Sequence, residues 1–374
     1  MSATHGLLEV LQKNPELGFN IYFKSINQFQ LETSDFKFPA ILKKMKETLQ
    51  YLFEGNKLTT DQAEEIQVKI GKDQFSEAEI SSFLTVFLMR PITAGELKGF
   101  RNGLLKLAVK VDLSAFNTID VCGTGGDEKN TFNISTLTAF VLAGAGIKVA
   151  KHGNYGVSSS CGSSNLLEYF GYKFSNSEPK LKTEIDKAGI AFLHAPLFHP
   201  AMKYVAPVRR SLKLKTFYNK LGPMVNPSKP QNQLVGVYNP QVLDLYKKVY
   251  AGSDTKYTII HALDGYDEVS LTGEIAYVSN GKEGKLAPAD FGFAPLKPAE
   301  LFGGNTVKEA AEIFLNVLER KATPAQEKAV LANTALGVKT VYPEKNLEKS
   351  LEIATDSLKS GKALEKFQKL IALQ

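Results

Sequence analysis

Ile119-Asp120-Val121-Cys122-Gly123-Thr124-Gly125-Gly126-Asp127 leads into Asn130-Thr131-Phe132-Asn133-Ile134-Ser135-Thr136 and an apolar run to Val149. Ile119 to Cys122 carries the apolar signature of a short strand, the glycines permit positive φ and close backbone approach, and Asn133 to Thr136 can open a helix. Strand, glycine loop and helix in that order aim backbone N–H groups at one point, where the helix dipole favours an anion by ~0.3–1 kcal/mol. A phosphate fits such a point. A tight βα turn would use the same residues, so the loop alone weights the reading only slightly towards phosphate.

Composition sets the bounds around that stretch. A chain of 374 residues can bury a sizeable core as two domains, or as one large α/β domain with an appendage. Its 43% hydrophobic and 22% charged content is that of an ordinary soluble protein. Forty-five Lys and Arg against thirty-nine Asp and Glu leave +6, a mild excess that suits an anionic substrate better than nucleic acid. Two cysteines, Cys122 and Cys161, argue against a disulfide framework and fit a reducing compartment. Neither has a motif-supplied base, so both read as bystander thiols. The uncharged run Thr131 to Ile147 suits a buried crossover helix rather than a membrane span. With His5, Glu9 and Lys13 among its apolar residues, the N-terminus lacks a signal-peptide pattern. The expected location is cytoplasmic, with no membrane partner.

Residues 1–40 carry aromatic and apolar positions without a sustained period, and helical patterning begins at Phe38. Three capping boxes follow: Thr59 with Gln62, Ser76 with Glu79 and Thr93 with Glu96. Behind the second lies the stripe Ile80, Phe83, Leu84, Phe87 and Leu88; behind the third, Leu97, Phe100, Leu104 and Leu107. The first hundred residues thus read as a small all-helical domain. From Thr118 strands and helices alternate, which implies a mainly parallel sheet flanked by helices. Strands are expected at Ile147 to Ala150, Ile190 to Leu193 and Tyr257 to Ala262, and a β pair from Ser270 to Thr272 with Ile275 to Val278. Pro200 suits the first turn of a helix carrying Met202, Val205 and Val208. In a parallel sheet ligands lie beyond the carboxyl ends of the strands. The glycine loop, Lys151 to Asn154, Pro196 to His199 and Gly265 to Glu268 all follow expected strands, so four sequence-distant loops should converge on one edge.

Seven segments in order carry a family resemblance: Gly123-Thr124-Gly125-Gly126-Asp127, Asn133-Ile134-Ser135-Thr136, Lys151-His152-Gly153-Asn154, Phe198-His199-Pro200-Ala201-Met202, Val208-Arg209-Arg210, Leu221-Gly222-Pro223 with Asn226-Pro227, and Asp267-Glu268. Over about residues 45–374 the chain resembles the anthranilate phosphoribosyltransferases. The resemblance implies transfer of a phosphoribosyl group from 5-phosphoribosyl 1-pyrophosphate to the amine of anthranilate in tryptophan biosynthesis, with two Mg2+ ions per site and a cytoplasmic homodimer. It implies a helical domain over residues 1–97 (1–44 an extension), joined by a helical segment at 199–225. That domain would be hinged to a larger α/β domain of the nucleoside phosphorylase/phosphoribosyltransferase class over 98–198 and 226–374, and closure would assemble the site.

By the same resemblance, the donor is held by Gly123, Thr124, Gly125, Gly126, Asp127, Asn133, Ser135, Thr136, Lys151 and Asn154. Anthranilate would be met by Gly123, His152, Asn154, Pro196, His199, Met202 and Arg209, and the metal by Ser135, Asp267 and Glu268. No residue is expected to act as a strong acid or base. An aromatic amine is neutral at pH 7, and a pyrophosphate leaving group needs N–H donors, a lysine and metal rather than a proton. The chain departs from the family pattern at Tyr155-Gly156, where an arginine commonly follows the asparagine, and at Lys213 and Lys215, where glycine and arginine are usual. Two rival readings of the same architecture are a pyrimidine-nucleoside phosphorylase and a catalytically silent relative that binds nucleic acid.

Overall fold

The computed structural model describes residues 44–156 and 160–374. The expected helical onset at Phe38 and the reading of residues 1–43 lie outside the described residues. Four helices come first, at Met45–Phe53, Thr60–Gly71, Glu77–Met89 and Ala94–Leu107. All three expected capping boxes form, each satisfying two N–H groups that a helix start leaves open. Phe83, Leu84, Phe87, Leu97, Phe100 and Leu104 are buried as their spacing predicts. Leu88 is the exception in its stripe and stands exposed.

The sheet contains β1 (Ile119–Gly123), β2 (Val149–Gly153), β3 (Ile190–His194), β4 (Asn232–Gly236), β5 (Lys256–Ala262), β6 (Ile275–Ser279) and β7 (Lys282–Leu286). Their order is β3-β2-β1-β4-β5-β6-β7. The first five run parallel, and β6 and β7 add an antiparallel edge. The chain lays β2 and β3 on one side of β1, then crosses to lay β4 and β5 on the other. Strand order therefore reverses between β1 and β4, the place where open α/β sheets form a crevice. The Ile134–Gly144 helix after the glycine loop is buried almost throughout, as the uncharged run predicts. Phe140 on it packs with Phe314 and Phe367 from two later helices.

Several local expectations are corrected. Strand β4, central in the sheet, was not expected because the polar Asn232 and Gln233 interrupt its apolar signature. Both side chains are buried and hydrogen-bonded, Asn232 to Asn117 and to the Thr118 carbonyl, Gln233 to the Pro223 carbonyl. Residues 270–272 form no strand: Leu271 sits at φ +60 and the Ser270 and Thr272 hydroxyls bond each other. The partners of β6 are β5 and the unforeseen β7. The helix expected from Pro200 is broken into a 3-10 turn, Pro200–Tyr204, and a short α-helix, Ala206–Leu212. Pro207 explains the break, since it has no N–H for the preceding turn.

Candidate active site

Gly123 and Gly236 are register partners at the carboxyl ends of β1 and β4. A Cβ on Gly236 would stand 1.5 Å from the Asp267 carbonyl oxygen, and one on Gly123 would stand 2.1 Å from Asp267 Oδ2. The loop after β5 thus lies directly over the strand-order reversal, and only glycine leaves it room. The Asp267 carboxylate accepts the Gly125 N–H at 2.7 Å. Gly125 and Gly126 hold φ of +66° and +81°, which turns the loop back over the sheet edge. Asn333 pins the far side of the acidic segment, accepting the Val269 N–H and donating to the Val269 carbonyl.

Glu268 lies beside the hydroxyl and backbone N–H of Ser135 at the start of the Ile134–Gly144 helix. Lys151, buried on β2, donates to the Val121 carbonyl at 2.5 Å and to Ser135 Oγ at 3.3 Å. Asp127, at the end of the glycine loop, lies beside Asp267 and keeps a buried Oδ2 without a partner; Thr124 Oγ1 is likewise unpaired. Burial, and then the charges of Asp127 and Glu268, push the Asp267 carboxyl well above the usual carboxylate range. Burial also pushes Glu268 up, to about 7, against the pull of the Lys151 ammonium. Three carboxyl groups face one ammonium, an imbalance that a divalent cation or protons would relieve. Among the described residues no three His, Cys, Asp or Glu side chains form a metal cage. A cation here would need oxygens from a bound molecule as well.

Next to this edge Asp120, fully buried on β1, accepts the His152 backbone N–H at 3.1 Å and the Asn226 amide at 2.9 Å. It fixes β2 at Lys151 and His152. The His152 ring bonds the Gly222 carbonyl and the His199 ring the Val225 carbonyl, with the rings 5.4 Å apart. Burial depresses both, His152 to about 3 and His199 to about 4, so both imidazoles are neutral at pH 7. They tie the 222–225 turn to the sheet.

Arg209 lies on the Ala206–Leu212 helix, half-buried, with Nη2 donating to Asn219 Oδ1 at 3.3 Å and its guanidinium over the Tyr218 ring. Lys215 reaches from the same segment to the glycine loop, donating to the Gly126 carbonyl at 2.9 Å and pairing with Glu128 at 2.6 Å. The structure therefore brings Gly123, Gly125, Asp127, Ser135, Lys151, Asp267 and Glu268 together at one sheet edge. The other expected residues are described by local bonds and burial. Asn133 donates to the Cys161 carbonyl, Asn154 accepts its neighbour's N–H, and Pro196 is exposed at the end of β3. Thr136 is buried in the helix, and Met202 is half-buried in its 3-10 turn. Tyr155, in place of the common arginine, packs its ring edge on His194 and bonds Glu168. Sequence reasoning missed Gly236, Asp120 and Asn219. Only Gly236 had a signal, as a glycine ending the apolar run Leu234-Val235.

The fold and the site define a glycosyl transferase built from a helical bundle and an α/β domain. Residues 46–108 match the glycosyl transferase family helical bundle domain, and residues 116–364 match the a/b domain of that family. An anthranilate phosphoribosyltransferase of Flavobacterium johnsoniae is 53% identical over 326 residues, covering 87% of this chain and 98% of its own length. The crystal structure of anthranilate phosphoribosyltransferase from Thermus thermophilus superposes with a TM-score of 0.82 at 29% identity, over 87% of this chain and 98% of that one. The Saccharomyces cerevisiae enzyme in complex with PRPP and Mg gives a TM-score of 0.82 at 27% identity, over 88% and 97% of the two chains. The chain belongs to the anthranilate phosphoribosyltransferase family.

Proposed function

We propose that the protein transfers the phosphoribosyl group of 5-phosphoribosyl 1-pyrophosphate to the amine of anthranilate, giving N-(5-phosphoribosyl)anthranilate and pyrophosphate in tryptophan biosynthesis. The observation that carries this reading is the cluster at the strand-order reversal, where the Asp267 carboxylate holds Gly125 and Lys151 meets Ser135 beside Glu268. Membership of the family supports it independently.

In this reading Gly123 to Asp127 cradle the pyrophosphate with backbone N–H groups, and Asn133, Ser135, Thr136, Lys151 and Asn154 receive its remaining oxygens and the ribose phosphate. Asp267, Glu268 and Ser135 would hold magnesium, two ions per site, which would neutralise charge on the departing pyrophosphate. The surplus of carboxyl groups and the unpaired Asp127 Oδ2 fit such ions, and magnesium is satisfied by a few carboxylates with substrate oxygens and water. Gly123, His152, Asn154, Pro196, His199, Met202 and Arg209 line the anthranilate path, with Arg209 forking onto its carboxylate. The amine needs no strong base. Charge placement and proximity carry the rate, with an oxocarbenium-like ribosyl carbon.

We further propose two compact parts that close on each other around the substrates, residues up to 107 with 199–225 and residues 108–198 with 226–374, the division falling after the Ala94–Leu107 helix, which a boundary at 97 would cut. A cytoplasmic homodimer through the helical part agrees with Phe53, Leu88 and Met89, exposed apolar side chains on its helices. No helix among the described residues is long and apolar enough to cross a membrane. Loss of anthranilate fluorescence on mixing protein, donor and magnesium tests the reading. Turnover of thymidine with phosphate instead would identify a nucleoside phosphorylase, and salt-dependent oligonucleotide binding without turnover would identify a nucleic-acid binder.

A further inference from the structure

The Arg209 guanidinium closes a stack of aromatic rings rooted in the helical bundle. Phe100, buried on the Ala94–Leu107 helix, stacks on Phe217 with ring centres 4.4 Å apart and 16° between planes. Phe217 stacks in turn on Tyr218 at 4.5 Å and 24°. The Arg209 guanidinium carbon lies 5.6 Å from the centre of the Tyr218 ring. Three hydrogen bonds set the geometry around this stack. The Tyr218 hydroxyl, buried, donates to Gln67 Oε1 on the Thr60–Gly71 helix at 2.7 Å. Asn219 Oδ1 accepts the Thr216 backbone N–H at 3.0 Å and Arg209 Nη2 at 3.3 Å.

The guanidinium thus lies over an aromatic ring, and one of its five N–H donors is bonded to a fixed amide oxygen. Among the described residues no carboxylate pairs with Arg209, and Asn219 is the one hydrogen-bond partner of its guanidinium. A free arginine spreads over many rotamers, and ordering so long a side chain on binding costs about 0.5–1.5 kcal/mol. An arginine held by a ring face and an amide oxygen has that cost already met, and it presents its remaining donors as a fork.

We propose that Tyr218 and Asn219 are positioning residues that set the Arg209 fork for the acceptor's carboxylate, with Gln67 and Phe217 anchoring them to the bundle. The proposal deepens the functional reading above and rests on it. It predicts that selectivity for a carboxylate-bearing acceptor is written into residues that never touch the acceptor.

The test uses the full chain and two inhibitors that differ by the recognised group, benzoate and aniline, each competed against anthranilate. Wild type must first turn over anthranilate with the phosphoribosyl donor; failure there overturns the functional reading. Given that activity, Asn219→Ala and Tyr218→Leu are expected to raise the KM for anthranilate and the inhibition constant of benzoate about 3- to 10-fold, the range of a lost cation–π contact or hydrogen bond. The donor KM and the aniline constant should stay within about twofold. Tyr218→Phe keeps the ring and should restore most of the benzoate affinity. Asn219→Asp supplies a carboxylate of its own beside the guanidinium and should weaken benzoate at least as much as Asn219→Ala. Equal changes for benzoate and aniline, or a donor KM that moves with the anthranilate KM, would overturn the proposal, because loosened packing would explain both. Should Tyr218→Leu fail to fold, the Tyr218→Phe and Asn219 variants still decide.

Discussion

The donor edge and the acceptor shelf hold their charged groups by different means. At the edge, backbone does the work: Gly123 and Gly236 face each other across β1 and β4, Asp267 fills the space where two Cβ atoms would stand, and its carboxylate grips the Gly125 N–H. On the shelf, side chains stack: Arg209 rests on Tyr218, Tyr218 on Phe217, and Phe217 on a bundle helix. An arrangement fixed by glycine sterics has no slack, whereas one fixed by ring stacking can be lost a part at a time. A polyanionic donor with metal ions needs the first kind of rigidity, and recognition of one carboxylate is served by the second.

The largest effect should come from adding a single methyl at the edge. Gly236→Ala would drive a Cβ into the Asp267 carbonyl at 1.5 Å. Since backbone must move, thermal unfolding should show a loss of about 1–3 kcal/mol or more, and donor binding measured by calorimetry should vanish with it. Unchanged stability with normal donor binding would show that the acidic loop is freer than the sheet edge suggests. A step smaller is Glu268→Gln, which keeps the shape and removes the charge. Its kcat/KM for the donor should fall by about 10²-fold, the scale of one lost electrostatic stabiliser, with the magnesium requirement shifted to higher concentration. The same variant should leave the melting temperature unchanged or raised, since a buried carboxyl pushed up to about 7 is one the fold holds at a cost.

On the shelf, Arg209→Ala should raise the anthranilate KM about 10- to 100-fold, the range of one charge-assisted hydrogen-bonded contact, with a far smaller change for the donor. The histidine pair between the two regions gives a graded effect read in stability. Burial holds the folded values of His152 and His199 at about 3 and about 4, below the ordinary value of 6.5. The unfolded chain therefore binds more protons as pH falls from about 6.5, so the unfolding free energy should be full above that pH and decline through the window down to about 3. Chemical denaturation across that window checks it. His152→Asn should flatten part of the slope, and an unaltered slope would assign the acid loss to the carboxyl groups instead.

How much of this was legible in the sequence follows the same division. Capping boxes, the glycine loop and the apolar strands are local patterns, and the boxes at Thr59, Ser76 and Thr93 form as their spacing requires. The convergence of the loops after β1, β2 and β5 followed from parallel topology alone. Strand β4 was hidden, because its polar Asn232 and Gln233 find buried partners that only the folded chain supplies. The reason for two glycines at Gly123 and Gly236 is a residue that follows Gly236 by some thirty positions in sequence. Nothing in the short-range pattern of Phe217-Tyr218-Asn219 shows that Phe100 and Gln67, more than a hundred residues earlier, meet it. Leu88 and the 270–272 segment erred in the opposite direction, local patterns overridden by tertiary packing.

Both Michaelis constants, measured side by side for Glu268→Gln and Arg209→Ala, test most directly whether the two regions serve separate substrates. A crossed pattern is expected, with Glu268→Gln acting on the donor and magnesium dependence and Arg209→Ala acting on anthranilate. Parallel changes in both constants for both variants would contradict that division.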